Sequence, residues 1–299
     1  MEESDDGFQA YLTYRCAVSS DMQAQRIAAM YTQVIQSCLE RFDQPPDAIQ
    51  SFNAADIAQL ECWNSKLPSA VNDTVHHMIY QMALQQPHRP AISSWDLETD
   101  LSYSQVEEYA TQLALDLARR GIGPESFVPF CFPKSTVAVI VILAILKAGG
   151  ACAPLDPSHP ADYSRGIVQN VGARLVLIST SKHDIFRGCE ARTLAIDMDY
   201  IKNLRPLQPP HLPHVTPDNA AYIIHTSGTT GKPKAVVYDH CCLSTGITYH
   251  APALKLGSTT RTLQFAAYVF DVSVMEILTT WVVGGCVCIP PVRGCGVVW

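Results

Sequence analysis

Hydrophobic and polar positions change rhythm twice along the 299-residue chain, and the changes mark three zones. In residues 1–42, an apolar, β-prone piece around Tyr11 to Val18 predicts a strand. After it, Ile27, Met30, Tyr31, Val34, Ile35 and Leu39 recur at helical spacing, with Ser20 or Asp21 placed to cap the helix. A lone strand and helix cannot bury their own apolar faces, so this zone reads as the end of a larger unit. Residues 43–74 carry Pro45, Pro46 and Pro68 around a short helical stretch from Ala54 to Trp63, and predict a linker. From 75 to 299 the pattern alternates. Helices are expected at Val75–Leu84, at Tyr103–Arg120 with Gly121 as its stop, and at 161–172. Strands are expected at Ala91–Ser94, Phe127–Phe132, Ala151–Leu155, Arg174–Thr180 and Ala221–His225. Such alternation predicts an α/β fold with a mostly parallel sheet covered on both faces.

One segment tests for a membrane. The purely apolar run Val137–Leu146 falls well short of the ~20 residues a spanning helix needs, and Lys147, Gly149 and Gly150 follow it. A buried core helix is the reading. A formal charge of −7 with no long basic run argues against a general binder of nucleic acid or anionic membrane. The eleven cysteines form no CxxC pair; Cys241 with Cys242 and Cys286 with Cys288 are the nearest groupings, and neither has zinc-site spacing. The acidic start, "MEESDDGF", has no signal-peptide character. Reduced thiols in a cytoplasmic protein are therefore expected.

Candidate chemistry concentrates in "AYIIHTSGTTGKPKAVV", residues 221–237. A strand runs into small residues there, which brings backbone N–H groups near an anion. Gly228 and Gly231 let the chain bend and approach a ligand closely. Thr226, Ser227, Thr229 and Thr230 add hydroxyl donors, and Lys232 and Lys234 add charge suited to a polyphosphate. The string is no Walker A loop: two residues separate the glycines instead of four, and Pro233 follows Lys232. A nucleotide polyphosphate is the expected ligand; the bland alternative is a polar turn between strand and helix.

"HTSGTTGKPKAVV" resembles the phosphate loop of the adenylate-forming, AMP-binding enzymes: acyl-CoA synthetases, luciferases and the adenylation domains of nonribosomal peptide synthetases. "LSYSQVEEYATQLALDLARRGIGPESFVPF" resembles the family's early helix-and-strand segment, and "LKAGGACAPLDPSHP" its LKAG-x-AYVPLDP motif. "LQFAAYVFDVSVMEILTTWVVGGCVCIP" resembles the segment that anchors the substrate amino group. Ala235 stands where the family usually has Gly, His225 where it has an aromatic, and Cys152-Ala153 where it has Tyr-Val.

The resemblance implies the N-terminal part of the large subdomain of the adenylate-forming fold, preceded in residues 1–42 by the tail of a condensation- or epimerization-like domain. It implies Mg-ATP as substrate, with Thr226, Ser227, Gly228, Thr229, Thr230, Gly231, Lys232 and Lys234 on its phosphates. Asp271, in "FDVS", would bind the α-ammonium of an amino acid; the alternative is that it caps the helix starting near Val272. Phe270 would wall the carboxylate end, and Val272 and Met275 would line the side-chain pocket. The aminoacyl-adenylate would pass to the phosphopantetheine of a carrier domain, with condensation domains as further partners. Metal ligands are unassigned. After "GGCVCIPP" the stretch "VRGCGVVW" resembles nothing in the family. A truncated domain is therefore expected, without the small C-terminal subdomain and its catalytic lysine. Two further readings stay open: an acyl-CoA or aryl-acid ligase of the same superfamily, and a catalytically inactive remnant.

Overall fold

The computed structural model describes residues 2–4, 7–46, 49, 51–180, 185–204, 211–226 and 234–291. The chain divides into two compact units, Met1–Pro68 and Ser69–Trp299.

In the first unit, β1 (Glu2–Ser4) and β2 (Gly7–Gln9) form an antiparallel hairpin. The strand expected around Tyr11 to Val18 is not there: those residues are irregular and turn, with Tyr11 73% and Val18 81% exposed. Strand propensity needs a neighbouring strand to pair with, and among the described residues of this unit β1 pairs only with β2. Helix α1 (Asp21–Glu40) starts where its cap predicts. Ser20 accepts from the Gln23 N–H, and Gln23 Oε1 accepts from the Ser20 N–H at 2.8 Å, a closed capping box. Ile27, Tyr31, Ile35 and Leu39, four residues apart, form an exposed apolar stripe along it. Helix α2 (Ala54–Asn64) is capped by Asn53, whose Oδ1 accepts from the N–H groups of Ala55 and Asp56.

The second unit opens with α3 (Val75–Gln85), β3 (Pro90–Ser94), β4 (Leu101–Ser102) and α4 (Tyr103–Arg119). Then β5 (Phe127–Cys131), α5 (Thr136–Lys147), β6 (Ala151–Leu155), α6 (Ala161–Asn170) and β7 (Leu175–Ile178) alternate. β8 (Arg192–Ala195), α7 (Met198–Lys202), β9 (Ala220–Thr226), β10 (Lys234–Asp239), α8 (His240–Ala253) and β11 (Arg261–Leu263) follow. A last helical run comprises α9 (Asp271–Val274), a π-helical turn (Met275–Thr279) and α10 (Thr280–Val282), ahead of β12 (Cys286–Ile289).

Strands that read as one sheet are divided between two. The larger has the order β10-β9-β6-β5-β7-β8 and is parallel except for the β9–β10 hairpin. The smaller has the order β11-β12-β3-β4, because β3 pairs in parallel with β12 from the far end of the sequence. Alternation along the larger sheet fills both faces. Phe130, Cys152 and Leu177 enter one core, while Cys131, Leu155, Val176 and Ile178 enter the other.

Helix α5 is buried along its whole length, which accounts for an apolar run without a polar face. Its only cation, Lys147, is ion-paired to Glu107 and lies 5.7 Å from the Tyr80 ring centroid. Gly149 then turns the chain at φ +85, and a Cβ on Gly150 would sit 2.9 Å from methyls of both Ile122 and Val128. The final helical run is tied to the smaller sheet: Trp281 Nε1 donates to the Ala91 carbonyl at 3.0 Å, and Tyr103 donates to the Gly285 carbonyl at 2.7 Å. Among the described residues no helix is long and apolar enough to cross a membrane.

Candidate functional site

β9 carries the chain to the C-terminal edge of the parallel strands, where open α/β sheets place their ligands. Of the expected phosphate-binding residues, Thr226 and Lys234 are described. Ser227, Gly228, Thr229, Thr230, Gly231 and Lys232 lie outside the described residues. Thr226 and Lys234 are antiparallel partners, and Thr226 Oγ1 donates to the Lys234 carbonyl at 3.3 Å. The segment between them thus joins two paired strands and is not a turn from strand into helix. Ala235 lies in β10 opposite His225. Among the described non-glycine residues only Glu125 and Lys255 have positive φ, so the methyl of Ala235 brings no backbone strain.

Asp271 is the first residue of α9, behind an N-cap position held by Phe270. Its Oδ1 accepts from the Val272 N–H at 2.9 Å, and its carboxylate has no ion-pair partner among the described residues. Two cavities meet at this residue, with Ile224 and Tyr238 also common to both. The larger, of about 620 Å³, runs past the ends of β6 and β9, with Asp156, His225, Thr226 and Phe270 in its wall. The smaller, of about 360 Å³, lies between α8 and the last helical run and includes Val272 and Met275. The structure therefore brings Asp271, Val272 and Met275 to one cavity, and Asp271, Phe270 and Thr226 to the other. His225 Nε2 is buried with no partner among the described residues, and burial lowers its pKa, keeping the ring neutral at pH 7.

Residues that the sequence reading did not single out hold Asp271 in place. The loop before it is pinned by Glu276, whose carboxylate accepts from the Ala266 N–H at 3.1 Å and from Gln264 Nε2 at 3.3 Å. Burial raises the pKa of Glu276, against the lowering effect of those donors and of Lys134. Lys134 Nζ donates to the carbonyls of Gln264 and Phe265; burial lowers its pKa, and the Glu276 charge counters that. Ser273 Oγ closes the loop onto the helix, donating to the Phe270 carbonyl at 2.7 Å and the Tyr268 carbonyl at 3.1 Å. Ser273 stands inside the quoted "FDVS", so part of this signal was in view; the partners of Lys134 lie too far along the chain to be read.

The π-helical turn inserts one extra residue per turn just after Asp271, re-aiming the side chains that follow; such turns concentrate at functional sites. Met275 and Thr279 both reach the smaller cavity, and Thr279 Oγ1 is 2.9 Å from His250 Nε2 on α8. On α8 the wall residues are Cys242, Leu243, Gly246, Ile247 and His250, one face at helical spacing. The opposite face is stitched to the segment entering the unit. Thr245 Oγ1 accepts from the Val71 N–H at 2.9 Å, Ser244 Oγ donates to the Asp73 carbonyl at 2.9 Å, and His240 Nδ1 accepts from the Val75 N–H at 3.3 Å.

The model of the AMP-binding enzymes matches residues 79–294, well over half of the chain. The chain belongs to the AMP-binding enzyme family. Within that family it is similar to Nonribosomal peptide synthetase 4 of Gibberella zeae, at 36% identity over 290 residues, covering 97% of this chain and 4% of that protein. It is also similar to nonribosomal peptide synthetase apmB of Penicillium brevicompactum, at 40% identity over 243 residues, covering 81% of this chain and 10% of that protein. This AMP-binding chain thus spans a small part of the curated relatives it matches. In fold it is similar to the nonribosomal peptide synthetase FmoA3 in its alpha-methyl-L-serine-AMP bound form, with TM-score 0.73 and 21% identity, over 93% of this chain and 31% of that one. The described strands and helices match the N-terminal part of the adenylate-forming fold.

Proposed function

We propose that this chain is part of a nonribosomal peptide synthetase adenylation domain that activates an amino acid with ATP. The observation that carries the reading is the position of Asp271 where the two cavities meet. An ammonium bound there has a mostly apolar cavity on one side for its side chain. On the other side lies the cavity that reaches Thr226 and the mouth of the phosphate loop. A carboxylate and an ammonium on one carbon are separated along that line. In the reaction, the amino acid's carboxylate oxygen forms a bond to the α-phosphorus of Mg-ATP, the bond from that phosphorus to the bridging oxygen breaks, and pyrophosphate leaves. The loop donors, Lys232 and Lys234 neutralise the phosphates, and Asp271 holds the ammonium by a charge-assisted hydrogen bond. The aminoacyl group then passes to a carrier's phosphopantetheine thiol, with AMP as leaving group. The ligand named for FmoA3, alpha-methyl-L-serine-AMP, is an adenylate of this kind.

The match to the Gibberella zeae synthetase takes in 97% of this chain, so it extends ahead of residue 79, where the AMP-binding match begins. This supports residues 1–42 as the tail of a condensation-like domain, and the exposed stripe on α1 as its packing face.

The test is thermal stabilisation and calorimetric binding of the full chain with Mg-ATP and with non-hydrolysable aminoacyl-sulfamoyl-adenosines. Asp271→Ala is expected to weaken aminoacyl analogues about 10- to 100-fold, as loss of a hydrogen bond to a charged group does, and to leave Mg-ATP unchanged. Undiminished binding in Asp271→Ala, or tighter binding of fatty-acyl or aryl analogues, overturns the reading.

A further inference from the structure

Gly246 stands in the middle of α8 (His240–Ala253), where glycine costs about 1 kcal/mol relative to alanine. Its backbone needs no positive φ, and a Cβ built on it meets no atom within 4 Å. Neither conformation nor packing against a neighbour calls for glycine here. What distinguishes the position is that it opens onto the 360 Å³ cavity beside Asp271. Gly150, by contrast, is held by two methyls at 2.9 Å. Ile224, Leu243, Ile247, Val274 and Met275 make the wall around Gly246 mostly apolar. A side chain of one carbon would leave such a wall without dispersion partners.

The charges on the wall are equally restrictive. Asp271 is the only carboxylate among the described residues of this wall, and it is committed to the ammonium under the reading above. His250 faces the cavity from α8 and Cys242 from the same face; burial lowers the first pKa and raises the second, so both are neutral at pH 7. His250 is also occupied by Thr279 at 2.9 Å. A charged substrate side chain would lose its hydration and, among the described residues of the wall, meet no free group of opposite sign.

We infer that Gly246 is a specificity-determining residue that keeps room for a bulky, neutral and largely apolar amino-acid side chain, of the leucine or phenylalanine class. The inference rests on the adenylation reading. It adds to that reading the substrate class and a residue on α8, outside the segment that carries the ammonium anchor.

The experiment measures binding of the L-phenylalanyl, L-leucyl, L-alanyl and L-aspartyl sulfamoyl-adenosines to the full chain and to Gly246→Ala and Gly246→Leu. For the unchanged chain, the phenylalanyl or leucyl analogue is expected to bind at least tenfold tighter than the alanyl and aspartyl ones. Gly246→Leu is expected to lose that preference while its melting temperature is kept or raised, a combination a merely structural glycine would not give. Should Gly246→Leu fold poorly, Gly246→Ala carries the same test, with a smaller loss for the phenylalanyl analogue and higher stability. Preference for the alanyl or aspartyl analogue, or unchanged phenylalanyl binding in both variants, overturns the inference and leaves the adenylation reading standing. Failure of every aminoacyl analogue to bind overturns both.

Discussion

At the scale of single residues, Glu276 and Lys134 fix the loop that leads into Asp271. Asp271, Val272 and Met275 are legible because they fall in one short segment at helical spacing. Glu276 and Lys134 are not, because what they do depends on a loop folding back between them. Glu276 is buried with its oxygens on Ala266 and Gln264, and Lys134 caps carbonyls of the same loop. Removing the carboxylate strands buried donors, which costs roughly 1–3 kcal/mol. Glu276→Ala is therefore expected to lower unfolding stability by about that amount, and to weaken aminoacyl-adenylate analogues by loosening Asp271. Glu276→Gln keeps one acceptor oxygen and is expected to lose less of both. Urea unfolding of the two variants checks this; equal, near-zero losses would mean the loop is held by Ser273 and Lys134 alone.

At the scale of elements, local signals place the interior of each helix and strand well but leave partners open. The cap at Ser20, the stops at Gly121 and Gly149 and the apolar core of α5 all follow from side-chain chemistry within a few residues. The pairing of β3 with β12 and the π-helical turn do not, because each depends on residues remote in sequence. The stretch around Tyr11 to Val18 forms no strand for the same reason: strand propensity without a neighbouring strand gives no strand. The turn between α5 and β6 shows how much of the packing rests on one missing methyl. Gly150 lets β6 begin directly beneath Ile122, Val128 and Ile145, and a Cβ there would meet side-chain methyls at 2.9 to 3.1 Å. Gly150→Ala overpacks this corner and is expected to destabilise the second unit by about 1–3 kcal/mol. Gly246→Ala, on an open helix face, is expected to stabilise it by up to about 1 kcal/mol. Opposite signs from the same chemical change, read by thermal unfolding side by side, are the check; a gain in stability for Gly150→Ala would contradict the packing described.

At the scale of the whole molecule, acid should act through two histidines where α3 meets the start of α8, His240 buried and His76 half-buried. The rings of His76 and His240 lie edge to face, 5.2 Å apart, and His76 Nδ1 and His240 Nε2 have no partner among the described residues. Burial pushes the His76 pKa down to about 3, helped by the charges of His240, Lys147 and His77. Burial also pushes His240 down to about 4, with Asp239 and Asp73 opposing. Both rings are neutral in the folded chain, whereas unfolded histidine titrates near 6.5. As the pH falls from about 6.5 towards 4, the unfolded state takes up protons that the folded state refuses, so stability falls. Each ring contributes roughly 1.4 kcal/mol per pH unit across that window. Below the folded pKa values the folded state also takes up the protons, and the histidine contribution flattens. Glu276, whose pKa is raised by burial, works in the opposite sense where it titrates. The histidine part is therefore isolated by comparison with His76→Phe, which keeps an aromatic ring and removes the proton site. Urea midpoints at pH 7.5, 6.0 and 5.0 should fall steeply for the unchanged chain and less steeply for His76→Phe. Parallel slopes would show that His76 takes up its proton freely in the folded chain and that acid acts elsewhere.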